Sequence, residues 1–191
     1  MMKLTEFPDA ASPRRRQILE IAARLFARNG YRGTSIRDIG EQAGVLGGSL
    51  YHHIKSKDAL FVELHNAALD AAERRIADAA NRHVAPWDRL AAAVSTLVDI
   101  QLDPDSITLP LMNDFRDVPE DVQRQLSTRR DAFEDLFRGL VDALPLPADI
   151  DRSIYRNLLL SLINSAGDWY RLGRMTPSEI AAQINRIFRH G

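Results

Sequence analysis

Residues 44–60 read GVLGGSLYHHIKSKDAL, and the fold of the whole chain turns on that stretch. A glycine-led polar segment runs into Tyr51, His52 and His53. A Lys55-Ser56-Lys57 connector then leads into a long amphipathic run. Just upstream, residues 35–43 form a second short helical pattern, closed by Gly44. Two short helices joined through a tight glycine turn are the pattern of a helix-turn-helix, whose second helix enters the DNA major groove. The spacing predicts that second helix over about Leu46 to His53. Leu50 and Ile54 point inward, leaving Gly48, Ser49, Tyr51, His52 and His53 near the outer faces. Glycines 47 and 48 weaken a helix but let backbone approach another molecule closely.

Working outward, Ser12-Pro13 is a helix start, an N-cap followed by proline at the first helical position. Ile18, Ile21, Ala22, Leu25 and Phe26 then recur at spacings of three and four, until Asn29-Gly30 stops the helix. Ser35 and Asp38 are spaced for a capping box, with Ile36, Ile39 and Ala43 facing a small core. Ser56 caps a long helix reaching about Arg82, with Leu60, Phe61, Leu64, Ala68, Ala71 and Ile76 as its stripe. Pro86 opens a fifth helix that Asp103-Pro104-Asp105 breaks. Pro110 and Pro119 bracket an irregular stretch, and Val122 to Leu144 is a long helix ended by prolines. Ile154 to Leu172 is apolar on most sides and is expected to be buried. Thr176-Pro177-Ser178-Glu179 starts a final helix carrying Ile180, Ile184, Ile187 and Phe188. No period-two strand pattern and no repeat occurs, so the reading is all-α. It has a flexible arm at 1–12, a helix-turn-helix domain at 13–57 and a helical body at 58–191.

The chain has 191 residues, 45% of them hydrophobic, enough to bury a real core. It has no cysteine, which excludes disulfides and thiolate zinc sites and suits the cytoplasm. No signal-like apolar run opens it, and Leu158-Leu159-Leu160 is too short to span a membrane. The net charge of −1 hides an asymmetry. Residues 1–57 hold ten Lys/Arg against five Asp/Glu, and the remainder is correspondingly acidic. A basic head on an acidic body is expected where one end meets phosphate. Thr34 and Ser35 sit at a helix start that favours an anion. Tyr51, His52 and Lys57 offer donors or charge from the second helix and the segment after it.

The ordered run Gly30-Tyr31-x-Gly-Thr34-Ser35-Ile36-x-Asp38-Ile39-x-x-x-Ala43-Gly44-Val45, then Gly48-Ser49-Leu50-Tyr51-x-His53-Ile54-x-Ser56-Lys57-x-x-Leu60, resembles the DNA-binding domain of TetR-family transcriptional regulators. The likeness spans about Arg16 to Leu64. It implies that Thr34, Tyr51, His52 and Lys57 contact the DNA backbone. It puts Arg37, Gly48 and Ser49 against base edges, with Arg16, Ser35 and Gly47 completing the DNA-facing set. Leu46 and Gly47 depart from the family pattern, where a capping Ser or Thr and a polar or basic residue are usual. The operator sequence therefore does not carry over.

The same resemblance implies a C-terminal body that dimerises, holds a small effector and releases a palindromic operator when the effector enters. The last two helices carry more apolar surface than two solvated helices need, which supports pairing across a two-fold axis. Leu97, Ile100, Leu109, Met112, Phe115, Phe133, Phe137 and Trp169 are the large side chains expected around a cavity, although such a side chain is more often core than ligand site. Arg129 falls in the apolar phase of its helix. Asn157, Ser161, Asn164, Asp168 and Arg171 form a polar stripe in an apolar one. Buried polar groups need partners. Asn164-x-x-x-x-Trp169-Tyr170-Arg171-x-Gly173 is similar to the corresponding helix of TetR-family regulators of lipid, steroid and aromatic-acid breakdown, which implies an acyl-coenzyme A thioester as effector.

Other classes are less well supported. Gly47-Gly48-Ser49-Leu50-Tyr51 lacks the final glycine and the preceding strand of a nucleophile elbow, and no P-loop, G-x-G-x-x-G or H-E-x-x-H occurs. No catalytic residue, metal site or cofactor is expected; adjacent His52 and His53 point in different directions. The alternatives are a ligand-independent DNA-binding protein whose body serves only dimerisation, and a helical interaction module with no DNA role.

Overall fold

The computed structural model describes residues 12–45, 47–103, 118–171 and 173–190. Those residues form helices and no strand. In chain order these are α1 (Pro13–Asn29), α2 (Ile36–Ala43), α3 (Gly47–Leu50), α4 (Lys57–Asn81), α5 (Pro86–Leu102), α6 (Glu120–Asp142), α7 (Arg152–Asn164), α8 (Ala166–Trp169) and α9 (Pro177–His190). The chain divides into two compact units. Residues 1–71 and 105–130 make the first, and residues 72–104 and 131–191 make the second.

In the first unit the helix ends follow the sequence signals. Ser12 caps α1 by accepting from the Arg15 amide at 3.2 Å. Ser35 and Asp38 complete the capping box of α2 in both directions, at 3.1 and 2.9 Å. Gly44 ends α2 in the left-handed conformation, φ 63° and ψ 39°. The Gly44 amide reaches Glu41 O and the Val45 amide reaches Gly40 O. This is a Schellman ending, which a residue with a Cβ adopts only at a cost. Gly33, in the α1–α2 loop, is required for another reason: a Cβ there would lie 2.3 Å from the Asn29 carbonyl oxygen.

The core of this unit gathers Ile18, Ala22, Leu25 and Phe26 of α1, Ile39 and Ala43 of α2, Leu50 and Ile54, and Leu60, Phe61 and Leu64 of α4. Phe61 meets Phe26 and Tyr31 edge to face, with ring centroids 5.0 and 5.2 Å apart. Truncating a phenylalanine so enclosed costs about 3–5 kcal/mol. Val118, Val122 and Leu126, from before and within α6, belong to the same core. A reading of local periodicity does not reveal that closure.

The second unit packs α5 against α9 and α7. Leu90, Val94, Leu97 and Val98 of α5 are buried, as are Ile180, Ala181 and Ile184 of α9 and Leu159, Leu160 and Ile163 of α7. Arg152 donates to the carbonyls of Val141 and Leu144 at 2.9 and 3.1 Å, which satisfies the C-terminal end of α6. Thr176 and Glu179 cap α9 reciprocally.

Two expectations require correction. The segment expected as one buried helix from Ile154 to Leu172 starts earlier and breaks. Asp151 caps it through the Ser153 and Ile154 amides. The helix ends at Asn164, where the Ser165 hydroxyl turns back to Leu162 O and Gly167 follows. Nor is it buried all round: Ile154 is 61% exposed and Leu158 60%. The second helix of the helix-turn-helix is also shorter than Leu46 to His53. Regular helix covers Gly47–Leu50, and residues 51–53 continue as a turn through His53 N to Leu50 O at 2.8 Å. Two glycines supply too little helix propensity to sustain more. Residues 104–117, which include Leu109, Met112 and Phe115 and most of the stretch between Pro110 and Pro119, lie outside the described residues.

Candidate functional site

The expected DNA-facing set gathers on one unit, held by contacts that its own residues do not announce. Leu50 and Ile54 are buried at 0% and 5% and fix the phase of α3 and its turn. Gly48, Ser49, Tyr51 and His52 are thereby left exposed, with Tyr51 58% accessible. Tyr51, His52, His53 and Lys55 border a cleft of about 420 Å³, completed by Arg15, Leu60 and Glu63.

Two arginines hold this arrangement together. Arg14 donates through Nη2 to Ala43 O at 2.7 Å and Gly44 O at 3.1 Å, the last carbonyls of α2. Arg15 donates through Nε to His53 O at 3.1 Å, and its Nη2 pairs with Glu63 at 2.7 Å. Cations at a helix C-terminus are favoured, so the Arg14-Arg15-Arg16 run serves the turn as well as the general charge. Sequence reasoning missed the roles of Arg14 and Arg15. The only signal was three arginines placed where a helix N-terminus would ordinarily prefer acids. Arg16 is half-buried on the same turn of α1.

Lys57 opens α4 with its ammonium 4.1 Å from the Tyr31 ring centroid. Partial burial holds its pKa below the usual lysine value. The Tyr31 hydroxyl donates to Asp58, and burial together with that carboxylate raises the phenol well above its usual range. Ser35 remains exposed at the start of α2, its hydroxyl committed to the cap. Arg37 is exposed and pairs with Glu41 one turn on, at 2.7 Å. Thr34 is not on the exposed face. It is 1% accessible, its hydroxyl donates to Gly30 O at 2.9 Å, and its amide donates to Tyr31 O. Gly47 lies in the backbone of α3.

The residues expected around an effector divide differently. Leu97, Ile100, Phe133 and Phe137 are buried in the second unit, with the two phenylalanine rings 6.2 Å apart. Asn164 accepts at 2.9 Å from the amide of Gln101, which is 3% exposed on α5. Gln101 is a buried polar partner that the sequence pattern alone did not single out. Of the polar stripe, Asn157, Ser161, Asp168 and Arg171 are exposed, and Arg171 donates to the carbonyls of Asp168 and Tyr170. Trp169 is 44% exposed and borders a small cleft of about 100 Å³ with Tyr170, Arg171, Arg174, Met175 and Ile180. Arg129 belongs to the first unit, where it pairs with Asp70 of α4. Among the described residues no group of three or more His, Asp or Glu is placed to hold a metal, and no helix is long and apolar enough to cross a membrane.

Comparison with known proteins agrees with this architecture. Residues 18–64 match the family described as bacterial regulatory proteins, tetR family, and residues 83–191 match the tetracyclin repressor-like C-terminal domain. The HTH-type transcriptional repressor KstR2 of Rhodococcus jostii (strain RHA1) is 31% identical over 189 residues, covering 94% of this chain and 91% of that protein. KstR2 of Mycobacterium tuberculosis (strain ATCC 25618 / H37Rv) is 44% identical over 77 residues. That match takes in 40% of this chain and 38% of the relative, well under two thirds of its length. The solved structure of the M. tuberculosis KstR2, a ketosteroid transcriptional regulator, aligns with a TM-score of 0.74 at 25% identity, covering 95% of this chain and 96% of that one. AibR, in complex with isovaleryl coenzyme A and operator DNA, aligns with a TM-score of 0.79 at 23% identity, covering 91% and 97%, and speaks to the fold alone. With both parts of the chain matched and a relative aligned nearly end to end, the chain belongs to the TetR family of bacterial regulatory proteins.

Proposed function

We propose that this chain is a homodimeric, cytoplasmic transcriptional repressor, not an enzyme, that grips a palindromic DNA operator and is released from it by a small effector. The observation that carries the reading is the exposed row of Gly48, Ser49, Tyr51 and His52 on a helix-turn-helix whose turn is held by Arg14 and Arg15. In that reading Arg37, Gly47, Gly48 and Ser49 meet base edges. Arg16, Ser35, Tyr51, His52 and Lys57 meet phosphates, and Thr34 positions the loop. The DNA-binding head takes in residues 13–57, after the arm at 1–12, and the body 58–191.

Dimerisation is supported by apolar side chains that a lone chain leaves in water. Ile154 and Leu158 on α7 and Ile187 on α9 are each about 60% exposed. Burying such a face against its own copy gains roughly 25 cal/mol per Å² of apolar surface. The two heads of a dimer would then sit about one DNA turn, ~34–36 Å, apart or somewhat more.

For the effector, we propose an acyl-coenzyme A thioester. AibR, a protein of the same fold, has been solved in complex with isovaleryl coenzyme A and operator DNA, and the Asn164-to-Gly173 segment points the same way. Leu97, Ile100, Phe133, Phe137, Asn164 and Trp169, with Leu109, Met112 and Phe115, are proposed to contact it, and Arg129 to answer its charge. Release requires the effector to bind the DNA-free shape more tightly than the DNA-bound one.

The test begins by selecting an operator from a random duplex pool and measuring affinity by fluorescence anisotropy. Tyr51→Ala and Lys57→Ala should each weaken binding to every selected site while the dimer persists. Lys57→Ala should also flatten the salt dependence by about one unit of slope. Unchanged affinity in both variants would refute the docking. Leu158→Glu should give monomers by size-exclusion chromatography and lose cooperative binding to the palindrome. Adding acyl-CoA thioesters and their free acids to the complex then tests release. If no thioester stabilises the protein or displaces DNA, the ligand-independent reading stands instead.

A further inference from the structure

The second unit contains a cleft of about 300 Å³ between the start of α5 and the C-terminal half of α9 that the regulator reading does not use. Its floor is apolar: Leu90 of α5 and Leu159 of α7 are 2% and 0% exposed. Trp87 walls one side, half-buried. Asn185, Arg186 and Arg189 of α9 form the other, and the Arg189 guanidinium lies 5.8 Å from the Trp87 ring centroid. The lining residues include two guanidinium groups and no carboxylate. A third arginine, Arg156, stands one turn before Leu159 on the same face of α7, its Nε buried with no hydrogen-bond partner among the described residues.

This cleft is separate from the face proposed for dimerisation. At about 100° per residue, Asn185 and Arg189 share one flank of α9, and Ile187 lies about 160° away from each. Asn185 also donates to Ala91 O at 3.3 Å, which ties that flank to α5. The space is at the small end of ligand pockets, which run from roughly 300 to 1,000 Å³.

We propose that this cleft is a second small-molecule site, for a planar aromatic carboxylate. The ring lies over Leu90 and Leu159 against the Trp87 face. The carboxylate takes the place of that face as the partner of Arg189, with Arg186 at the rim. A guanidinium matches a carboxylate through paired N–H donors more strongly than it does the indole face that Arg189 lies against. An aliphatic acid forfeits the stacking, and a neutral aromatic leaves the arginines without an anion.

The chain has two tryptophans, so Trp169→Phe leaves Trp87 as the only indole reporter. In that background phenylacetate, phenylacetamide and hexanoate are titrated while tryptophan fluorescence is followed. The expected result is saturable quenching by phenylacetate, with the amide and hexanoate each at least about ten-fold weaker. Arg189→Gln should weaken phenylacetate about ten-fold or more, and Arg189→Lys by less, with circular dichroism and oligomeric state unchanged. No saturable change, equal binding of the amide, or full affinity in both Arg189→Gln and Arg186→Gln would overturn the proposal. Anisotropy on the selected operator is run on the same samples. Wild-type protein that binds no operator in the absence of any ligand, while phenylacetate binding is intact, counts against the regulator reading and leaves this site standing.

Discussion

Arg129 on α6 holds Asp70 on α4 through two guanidinium nitrogens, Nη2 at 2.5 Å and Nε at 3.0 Å from one carboxylate oxygen. The arginine side chain is 19% exposed and the aspartate 49%, so solvent screens the pair and its net worth is small, about 1 kcal/mol or less. An anionic effector that recruits Arg129 must compete with Asp70. Arg129→Ala should blunt the effector response while leaving effector-free DNA affinity unchanged. Asp70→Asn should sharpen the response, because it removes the carboxylate charge that competes for the guanidinium. Effector titrations against the preformed DNA complex compare the two variants. An unchanged response in both removes this pair from effector sensing.

Arg14 gives a prediction about shape. Arg14→Ala leaves the carbonyls of Ala43 and Gly44 without their cation and should cost about 1–2 kcal/mol of stability, as for hydrogen bonds to a charged group. It should also weaken DNA binding more than its single charge warrants, since the α2–α3 turn loses its brace. Chemical denaturation and the salt slope of operator affinity together separate these effects. A loss confined to one unit of slope would mean that Arg14 acts as a phosphate contact only.

His65 supplies a pH dependence. It is fully buried on α4, its Nδ1 is 3.3 Å from Asn66 Oδ1, and burial pushes its pKa from 6.5 down to about 4, with Arg130 and Arg129 acting in the same direction. The folded state thus resists a proton that the unfolded chain accepts. The stability this represents is present above pH 6.5 and is lost as pH falls toward 4. The native protein should lose roughly 2 kcal/mol between pH 7 and pH 5 from this group. His65→Leu should remove that part of the slope in denaturant unfolding. A wild-type slope in the variant would assign the titration elsewhere.

Gly33 gives the cleanest steric prediction. With the Asn29 carbonyl oxygen 2.3 Å from where a Cβ would stand, Gly33→Ala must displace backbone, at roughly 1–3 kcal/mol. Gly48→Ala has open space and should be tolerated, or slightly stabilising, in the absence of DNA. Paired melting curves compare them. Equal melting points for the two variants would contradict the loop geometry.

What could be read from the chain beforehand was what local chemistry dictates. Ser12, Ser35, Ser56 and Thr176 announce helix starts because each side chain caps the amide three residues on. Leu50 and Ile54 announce a phase because they are one turn apart. The break at Ser165 was less legible, since an apolar run from 154 to 172 masks a serine that is ordinary inside a helix until its hydroxyl turns back on the chain. The exposure of Leu158 was hidden for a different reason: an apolar side chain left on the surface has the same composition as one destined for the core. The burial of Thr34 was not legible because a hydroxyl at a helix start serves an anion or a loop carbonyl equally well. Arg14, Arg15 and Gln101 act on partners 29 to 63 positions away, a range that periodicity does not reach.

Val118, Val122 and Leu126 carry a consequence for how such a protein can change over time. They complete the core of the helix-turn-helix unit from more than fifty positions beyond its last helix-turn-helix residue. A head closed by so distant a segment is no free-standing cassette. Recombination that traded residues 13–57 between relatives would leave three apolar positions facing a mismatched neighbour. New operator preferences are therefore more accessible by substitution on the exposed row than by exchange of the whole head. Under the proposed function, new ligand preferences would arise in a body that still has to supply apolar side chains to that core.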